Sequence, residues 1–250
     1  IMTSLIRHLF RDKTVATMLL VSSFFIGVCA LAPSLFVIIV LNKYLASGVT
    51  STLLSLAFGA VLFLAFELAF RQNRSTMIQN LNNKIFIPLT EKLQQKIKMT
   101  QLTGQQFKKL EQNGAIIKAT TAPSLTGWIL DWPFVLLFVI VLLLINWTAA
   151  LITLIFMFIQ LALNTYKKNL NLKTDSQANI EIFLMGMLTI IIISVGSLQV
   201  VAGNLDIGLL IGSNILAARA VQGTGKYAKA KQAIQQRDLA TKEIYDFIKQ

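Results

Sequence analysis

The most constraining feature of the sequence is a series of apolar runs that are too long and too free of charge for a soluble core. The first run, residues 15–41, contains no charged residue, and Pro33 within it predicts a kink. As a helix it would extend about 40 Å at ~1.5 Å per residue, enough to cross a bilayer at a tilt. Further runs cover residues 53–70, 128–145, 149–163, 180–201 and 207–218.

Composition supports a membrane protein. Hydrophobic residues make up 55% of the 250 positions and charged residues only 14%. The core of a soluble domain of this size does not absorb that much apolar surface, so part of the solvent around the chain must be lipid. The sequence therefore predicts an all-α membrane protein.

The placement of basic residues predicts the orientation of the spans. If all six runs cross the membrane from a cytoplasmic N-terminus, the outer loops are 42–52, 146–148 and 202–206. Of the 23 lysines and arginines, these loops contain only Lys43, as the positive-inside rule requires. We therefore predict six transmembrane helices within residues 1–222 and both termini in the cytoplasm. The net charge of +12 is then a topology signal and an attraction to membrane lipid, and no nucleic-acid partner is expected.

Two segments between the runs are expected in the cytoplasm, and they differ in length. Within residues 71–126, apolar residues recur every fourth position from Ile85 to Ile97, and Gly104 and Gly114 bracket a short helix. This segment is predicted to extend the second span, turn through the short helix and return. Residues 164–179 have no room for such an excursion. Residues 223–250 are predicted to be a cytoplasmic extension of the last helix.

The sequence contains no recognisable catalytic or cofactor site. Cys29 is the only cysteine and His8 the only histidine, so metal clusters and Ser-His-Asp chemistry are not expected. The stretch GTGK at 223–226 resembles a phosphate loop only in part. That motif needs Gly at position 220 and Ser or Thr at 227, which are Ala220 and Tyr227 here. We predict neither an enzyme nor a bound cofactor.

Several short stretches, together with six spans and the long excursion after the second, resemble the transmembrane half of an ABC exporter of type 1 fold. The closest resemblance is to the type I secretion exporters, which move RTX toxins, adhesins and proteases out of Gram-negative bacteria. The stretches are ALAPSLFVIIVLNKYLASG (30–48), LAFELAFR (64–71), DWPF (131–134) and VVAGNLDIGLLIGSNILAARA (200–220). The resemblance implies a homodimer around a translocation pathway in the bacterial inner membrane.

The resemblance also implies an ATPase that docks on the short cytoplasmic helix. The residues expected to contact it are Gln105, Phe107, Leu110, Glu111, Asn113 and Gly114. This chain contains no ATPase domain, so the ATPase is expected on another chain or on a removed C-terminus. The family's second docking helix, between the fourth and fifth spans, has no counterpart in 164–179. Either this loop is natively short or residues are missing from it, and the sequence leaves both interpretations open.

Polar residues within the spans are candidate pathway residues. Glu67 and Arg219 lie near the cytoplasmic ends of their spans, where they would sit at the interface or form an ion pair, unless Glu67 faces the pathway and attracts cations. Ser213 and Asn214 are the deepest polar pair of the expected sixth span, and they either bond to another helix or line the pathway. Gly208 and Gly212 form a G-x-x-x-G pattern, which predicts close helix packing.

Two functions remain open from the sequence, besides a scaffold role that nothing requires. The first is the membrane domain of an ABC-type exporter, which forms a translocation pathway as a dimer and depends on an ATPase absent from this chain. The alternative is an ATP-independent cation channel or pore built on the same fold. Ion flux without ATP would distinguish the second from the first.

Overall fold

The computed structural model describes residues 13–44, 50–99, 103–170 and 174–249, without the side chains at 44, 50, 85, 98, 166–178 and 249. These ranges are helical and contain no strand, which confirms the all-α class. The helices are α1 (Lys13–Cys29), α2 (Ala32–Ile39), α3 (Thr50–Met99), α4 (Gly104–Thr120), α5 (Pro123–Ile145), α6 (Trp147–Leu170), α7 (Thr174–Val201) and α8 (Ile207–Lys249), with a π-helical turn at Val40–Tyr44 after α2.

Several helices are long and apolar enough to cross a membrane, as the sequence predicted. The candidate spans within the described residues are Lys13–Lys43, Ser51–Ile97, Pro123–Ile145, Trp147–Thr165 and Asn179–Val201. The start of α8, where the sixth span was expected, is not among them. The sixth span and the orientation of the termini therefore stay predictions.

The first span is broken near its middle. Helix α1 ends at Cys29 and α2 begins at Ala32, with Pro33 in its first turn. Because proline has no amide hydrogen, it removes a donor that an unbroken helix would use. The chain passes the break through a tighter bond from the Leu31 amide to the Val28 carbonyl, at 3.0 Å. The kink predicted at Pro33 is present.

The chain divides into two compact units. The basic unit comprises Ile1–Ser22, Arg71–Leu130 and Lys229–Gln250, and the apolar unit comprises Ser23–Phe70 and Asp131–Ala228. The basic unit carries 17 Lys and Arg against 6 Asp and Glu, a net charge of +11. The apolar unit carries 6 against 5, a net charge of +1. Nearly all of the chain's net charge thus belongs to one unit.

The core of the apolar unit is built by α5, α6, α7 and α8. Large side chains such as Leu142, Leu188 and Ile192 are fully buried in it beside small ones such as Ala217 and Ala220. Helix α6 also packs on α7. Because lipid is as apolar as leucine, burial there stabilises through close packing rather than through exclusion of water, and small residues permit that packing.

The core of the basic unit is built from the polar ends of long helices and from α4. Helix α3 contributes Leu89 and Leu93, which the fourfold recurrence predicted, while α4 contributes Leu110 and Ile117. The side chain of Ile85 lies outside the described residues. Helix α8 adds Ile234 and Ile244.

Two helices extend beyond the limits that the local pattern indicated. The glycines at 104 and 114 bracket a short helix and the exporter resemblance implies a helix over roughly 105–118, and α4 runs from Gly104 to Thr120 because Gly114 keeps a helical conformation. Helix α5 begins at Pro123 rather than at Trp128, since proline is well accommodated at the first helical position. The apolar run thus marks the most hydrophobic part of the helix and not its start.

The segment between the fourth and fifth spans is mostly helical in backbone. Helix α6 runs to Leu170 and α7 begins at Thr174, which leaves only positions 171–173 between them. Those three positions lie outside the described residues.

Candidate functional site

The break in the first span is held by an arginine from the last helix. Arg219 of α8 donates through Nη1 to the carbonyl oxygen of Ala30, at 2.6 Å. Ala30 follows the end of α1, where the carbonyls of a helix have no intrahelical donor, so its carbonyl is open to a side chain. A hydrogen bond from a charged donor contributes about 1.5–3 kcal/mol. The broken helix thus gives the charge of Arg219 a partner.

Glu67, the other charged residue singled out in the sequence, lies in α3 and is half-buried. The structure thus places Arg219 against the Ala30 carbonyl and leaves the role of Glu67 as the sequence predicted it.

A glycine seam joins the start of α8 to α2 and the π-helical turn. The Gly208 amide donates to Oδ1 of Asn42 at 3.1 Å. A Cβ at Gly208 would lie only 2.9 Å from the carbonyl oxygen of Ile38, and one at Gly212 would lie 2.5 Å from Cδ1 of the same residue. The two glycines of the G-x-x-x-G pattern let the two helices approach to backbone contact.

Ser213 and Asn214 lie beside this glycine seam. Ser213 is fully buried, while Asn214 is half-buried with its Oδ1 atom enclosed. Neither the Oγ of Ser213 nor the Oδ1 of Asn214 has a hydrogen-bond partner within the part of the chain that the structure describes. These two atoms do not form the bond to another helix that was one of their two expected roles.

The predicted docking residues on α4 divide into two faces. Gln105, Phe107 and Glu111 are exposed, Phe107 to 46% despite its aromatic ring. Leu110 and Asn113 are buried in the basic unit, and the Cβ position of Gly114 is open. Three of the six residues are thus available to a partner protein, and two hold α4 in place.

Asn113 holds α4 through a carboxylate of α8. Its Nδ2 donates to Oε2 of Glu243 at 2.8 Å, and Nζ of Lys109 lies 3.1 Å from the same oxygen. These bonds from Asn113 and Lys109 hold the pKa of the Glu243 carboxyl below its usual value. The predicted docking helix is therefore fastened to the end of α8 on its buried side.

The C-terminal end of α4 is held by two residues that sequence reasoning missed. Arg237 of α8, only 1% exposed, donates from Nη1 to the Thr120 carbonyl at 3.3 Å, and Asn82 of α3 donates from Nδ2 to the Thr121 carbonyl at 2.8 Å. The Arg237 guanidinium also lies 5.2 Å from the centre of the Phe86 ring, a cation–π distance. Burial lowers the pKa of Arg237. The burial of Arg237 could have been predicted from the sequence, because Arg237 lies on the same helical face as the buried residues Ile234 and Ile244.

The GTGK stretch is part of the helix packing. It lies in the middle of α8, where a Cβ at Gly223 would lie 2.7 Å from Cγ2 of Val135 and one at Gly225 would lie 2.7 Å from Nε2 of Gln160. Thr224 between them is buried. This arrangement has no resemblance to a phosphate loop.

A polar corner lies where α5 passes into α6. Oδ1 of Asn146 accepts bonds from the amides of Thr148 and Ala149 at 3.1 and 3.2 Å, so Asn146 caps α6. Its Nδ2 donates to Oε1 of Gln199 at 3.0 Å, and Nε2 of Gln199 donates to Oγ1 of Thr148 at 3.0 Å. The asparagine before an apolar helix was a signal for this cap that could have been read from the sequence.

Comparison with known proteins does not assign this chain to a family. No family model matches the sequence, and no curated protein matches it significantly. The fold defines the class as a helical protein with several helices long and apolar enough to cross a membrane. Among the described residues, no group of three His, Cys, Asp or Glu could hold a metal ion.

Proposed function

We propose that this chain is the transmembrane domain of an ABC-type exporter, which works as a dimer with an ATPase on another chain. One observation carries the proposal: α3 is a single 50-residue helix that continues from an apolar run into the basic unit. Helix α4 follows it, and α5 leads back into an apolar span. This order of long helix, short helix and return is the architecture by which such exporters reach an ATPase.

The exposed surface of α3 supports the dimer. None of its apolar window is buried within the chain, and Leu54 and Phe58 are 70% and 72% exposed. Four consecutive residues, 61–64, are also exposed, while a stripe that includes Leu56 and Ala60 is half-buried, so most of the helix surface but not all of it is bare. A second copy of the chain packed on part of this surface would cover what a single chain leaves bare.

Site-specific photo-crosslinking tests the docking of an ATPase. A photoreactive residue at Phe107 in bacterial cells is expected to capture a chain that carries a phosphate loop, because this side chain is exposed on α4. The same probe at Gln79, an exposed position of α3, is the control. Sequencing of the captured chain decides the result. Equal capture at both positions, or a partner without nucleotide-binding motifs, would contradict the proposal.

A second candidate is an ATP-independent cation channel on the same fold. It is favoured by the short interval at 171–173, which leaves no place between α6 and α7 for a second docking helix. Glu67 would supply the carboxylate that selects cations. Potassium flux into proteoliposomes without ATP, reduced by Glu67→Gln, would favour this function. Liposomes that stay tight without ATP would favour the exporter.

A further inference from the structure

Helix α3 is covered by its own chain less than the other candidate spans among the described residues. None of its apolar window is buried, whereas 17–39% of the corresponding windows in the other four spans is buried. The part that is covered is a half-buried stripe, which includes Leu56, Ala60 and Glu67. The opposite side of α3 is therefore open to lipid or to another protein chain.

The open side of α3 is centred on a regular series of residues. Its most exposed large side chains, with exposed fractions from 62% to 72%, recur at intervals that fit one helix face: Leu54, Phe58, Val61 and Leu68. The large apolar residues beside them, at 62–64 and 66, are only 42–51% exposed. Ala65 completes the series, so that the spacing from 54 to 68 is four, three, four and three residues. This spacing is typical of the seam along which two helices pack, and these five residues are named the seam face.

The seam face carries no charge, although α3 does. The charged residues in the first half of α3 are Glu67, Arg71 and Arg74. Each lies about 100° or more round the helix from the centre of the seam face. One turn beyond Leu68, the residue in line with the seam face is Gln72, which is exposed. By contrast, α8 presents the exposed Lys226 close to the point where it leaves the apolar unit.

This absence of charge favours a second copy of the chain over lipid headgroups. Anionic headgroups attract lysine and arginine to the ends of spans, and Lys226 lies in such a position. A face that packs against its own copy brings each residue close to its equivalent, so a charge there would meet a like charge. The neutral seam face, followed by Gln72, fits contact with its own copy better than contact with headgroups.

We propose that the seam face packs against the seam face of a second copy, so that the two α3 helices run parallel and side by side. Each residue of the face then lies near its equivalent in the other copy. Ala65 lies within the face, where a small side chain lets the two backbones approach, and the larger side chains pack around it. The inference rests on the dimer of the proposed function, and it adds the helix face that forms the interface.

Disulfide formation between single cysteines in native membranes tests this arrangement. Cys29 is the only native cysteine, and Cys29→Ala removes it. In that background one cysteine at a time is introduced on the seam face, and copper phenanthroline is added as the oxidant. The four variants are Phe58→Cys, Val61→Cys, Ala65→Cys and Leu68→Cys. Two equivalent cysteines form a disulfide only when their Cα atoms come within about 7 Å, so these variants should give a covalent dimer.

Phe63→Cys and Phe66→Cys are the matched controls. Both positions are exposed in the same apolar window, but they lie about 120° or more round the helix from the centre of the seam face. The seam variants should therefore give the covalent dimer in several-fold higher yield than the controls. Four seam variants are used so that the loss of one to misfolding still leaves a test.

The mass of the unmodified protein in detergent, measured by light scattering, separates this inference from the proposed function. A dimer in detergent whose disulfide yield is equal at all six positions, or highest at the controls, would overturn the seam and leave the dimer in place. A monomer in detergent that forms no covalent dimer in membranes at any position would overturn both. Disulfides from the seam face to a different protein chain would also overturn the inference.

Discussion

The C-terminal ends of α1 and α4 each accept a hydrogen bond from an arginine of α8, and the two hydrogen bonds differ in length and in surroundings. At the end of α1, in the apolar unit, Arg219 donates to the Ala30 carbonyl at 2.6 Å. At the end of α4, in the basic unit, Arg237 donates to the Thr120 carbonyl at the longer distance of 3.3 Å, and Asn82 holds the next carbonyl. Both arginines lie at the negative end of a helix dipole, which favours cations.

The comparison shows how the surroundings of an arginine determine which hydrogen bonds it makes. In the apolar unit a freed carbonyl has few alternatives to Arg219, since lipid offers no hydrogen bonds. In the basic unit Asn82 shares the capping of α4, and Arg237 keeps donors that are unpaired among the described residues. The same residue type thus serves mainly as a cap in one unit and as an unsatisfied donor in the other.

The largest effect is expected where α8 is closest to the broken span. Gly212→Leu would force a side chain into Ile38 and separate the glycine seam, at a cost of about 3 kcal/mol or more of folding free energy. The matched change in the basic unit, Gly114→Leu, meets open space and should be tolerated. Size-exclusion profiles and melting temperatures in detergent measure both. Similar losses in the two variants would show that the two units do not differ in packing.

The two arginines can be compared directly. Arg219→Met leaves the Ala30 carbonyl unpaired and should destabilise the protein by about 1–3 kcal/mol. Arg237→Met should cost less, because removing a guanidinium with unpaired donors also removes their burial cost. Melting temperatures in chloride buffer give the order, with Lys226→Met on the same helix as the control. A larger loss for Arg237→Met would reverse the comparison.

The shared cap of α4 predicts a smaller effect. Asn82→Ala removes the donor to the Thr121 carbonyl and should lower the free energy of unfolding by about 1 kcal/mol. We expect the basic unit to unfold locally before the rest of the chain. Hydrogen exchange of the amides in α4 measures this opening. The double variant with Arg237→Met should lose more than the sum of the single losses, because neither carbonyl at the end of α4 keeps its side-chain donor. Additive losses would mean that the two residues act separately.

The smallest effect concerns the pH dependence of the basic unit. Because the pKa of Glu243 is lowered in the folded protein, its carboxylate stabilises the fold above the ordinary pKa of 4.5, and this contribution is lost as the pH falls through the folded value. Glu243→Gln should therefore lower the melting temperature slightly at pH 7, by an amount that corresponds to the ~0.2–1 kcal/mol contributed by exposed ion pairs. It should not lower the melting temperature at a pH low enough to protonate Glu243 in the folded protein. Asp246→Asn is the control. A difference between Glu243→Gln and the unmodified protein that persisted in acid would contradict this assignment.

The sequence predicted the helical class and most of the spans because apolar periodicity and charge placement are local signals. It predicted the break at Pro33 for the same reason, since proline removes a donor wherever it lies. The glycine pattern alone placed the end of α4 too early, because Gly114 permits either a turn or a helix and contacts distant in sequence decide between them, whereas the resemblance placed it within two residues. The sixth span was predicted from the placement of basic residues rather than from hydropathy, and it stays a prediction.

The candidate site was only partly accessible to sequence reasoning. Glu67 and Arg219 stood out because charges beside apolar runs are rare, but nothing local could show that Arg219 contacts the Ala30 carbonyl. Arg237 was missed because it belongs to a polar stretch, where a further cation gives no signal that it is buried. Its burial depends on α3 and α4, which are more than a hundred residues away in the chain.

The break at Ala30 also bears on the match between the protein and bilayer thickness. The first candidate span has 31 residues and would measure about 46 Å as a straight helix, while a hydrocarbon core is about 30 Å thick. A straight helix of that length must tilt strongly or thicken the lipid around it. Two shorter segments joined at a bend can absorb the excess by changing their mutual angle. The first span should therefore tolerate acyl chains of different lengths better than an unbroken helix would.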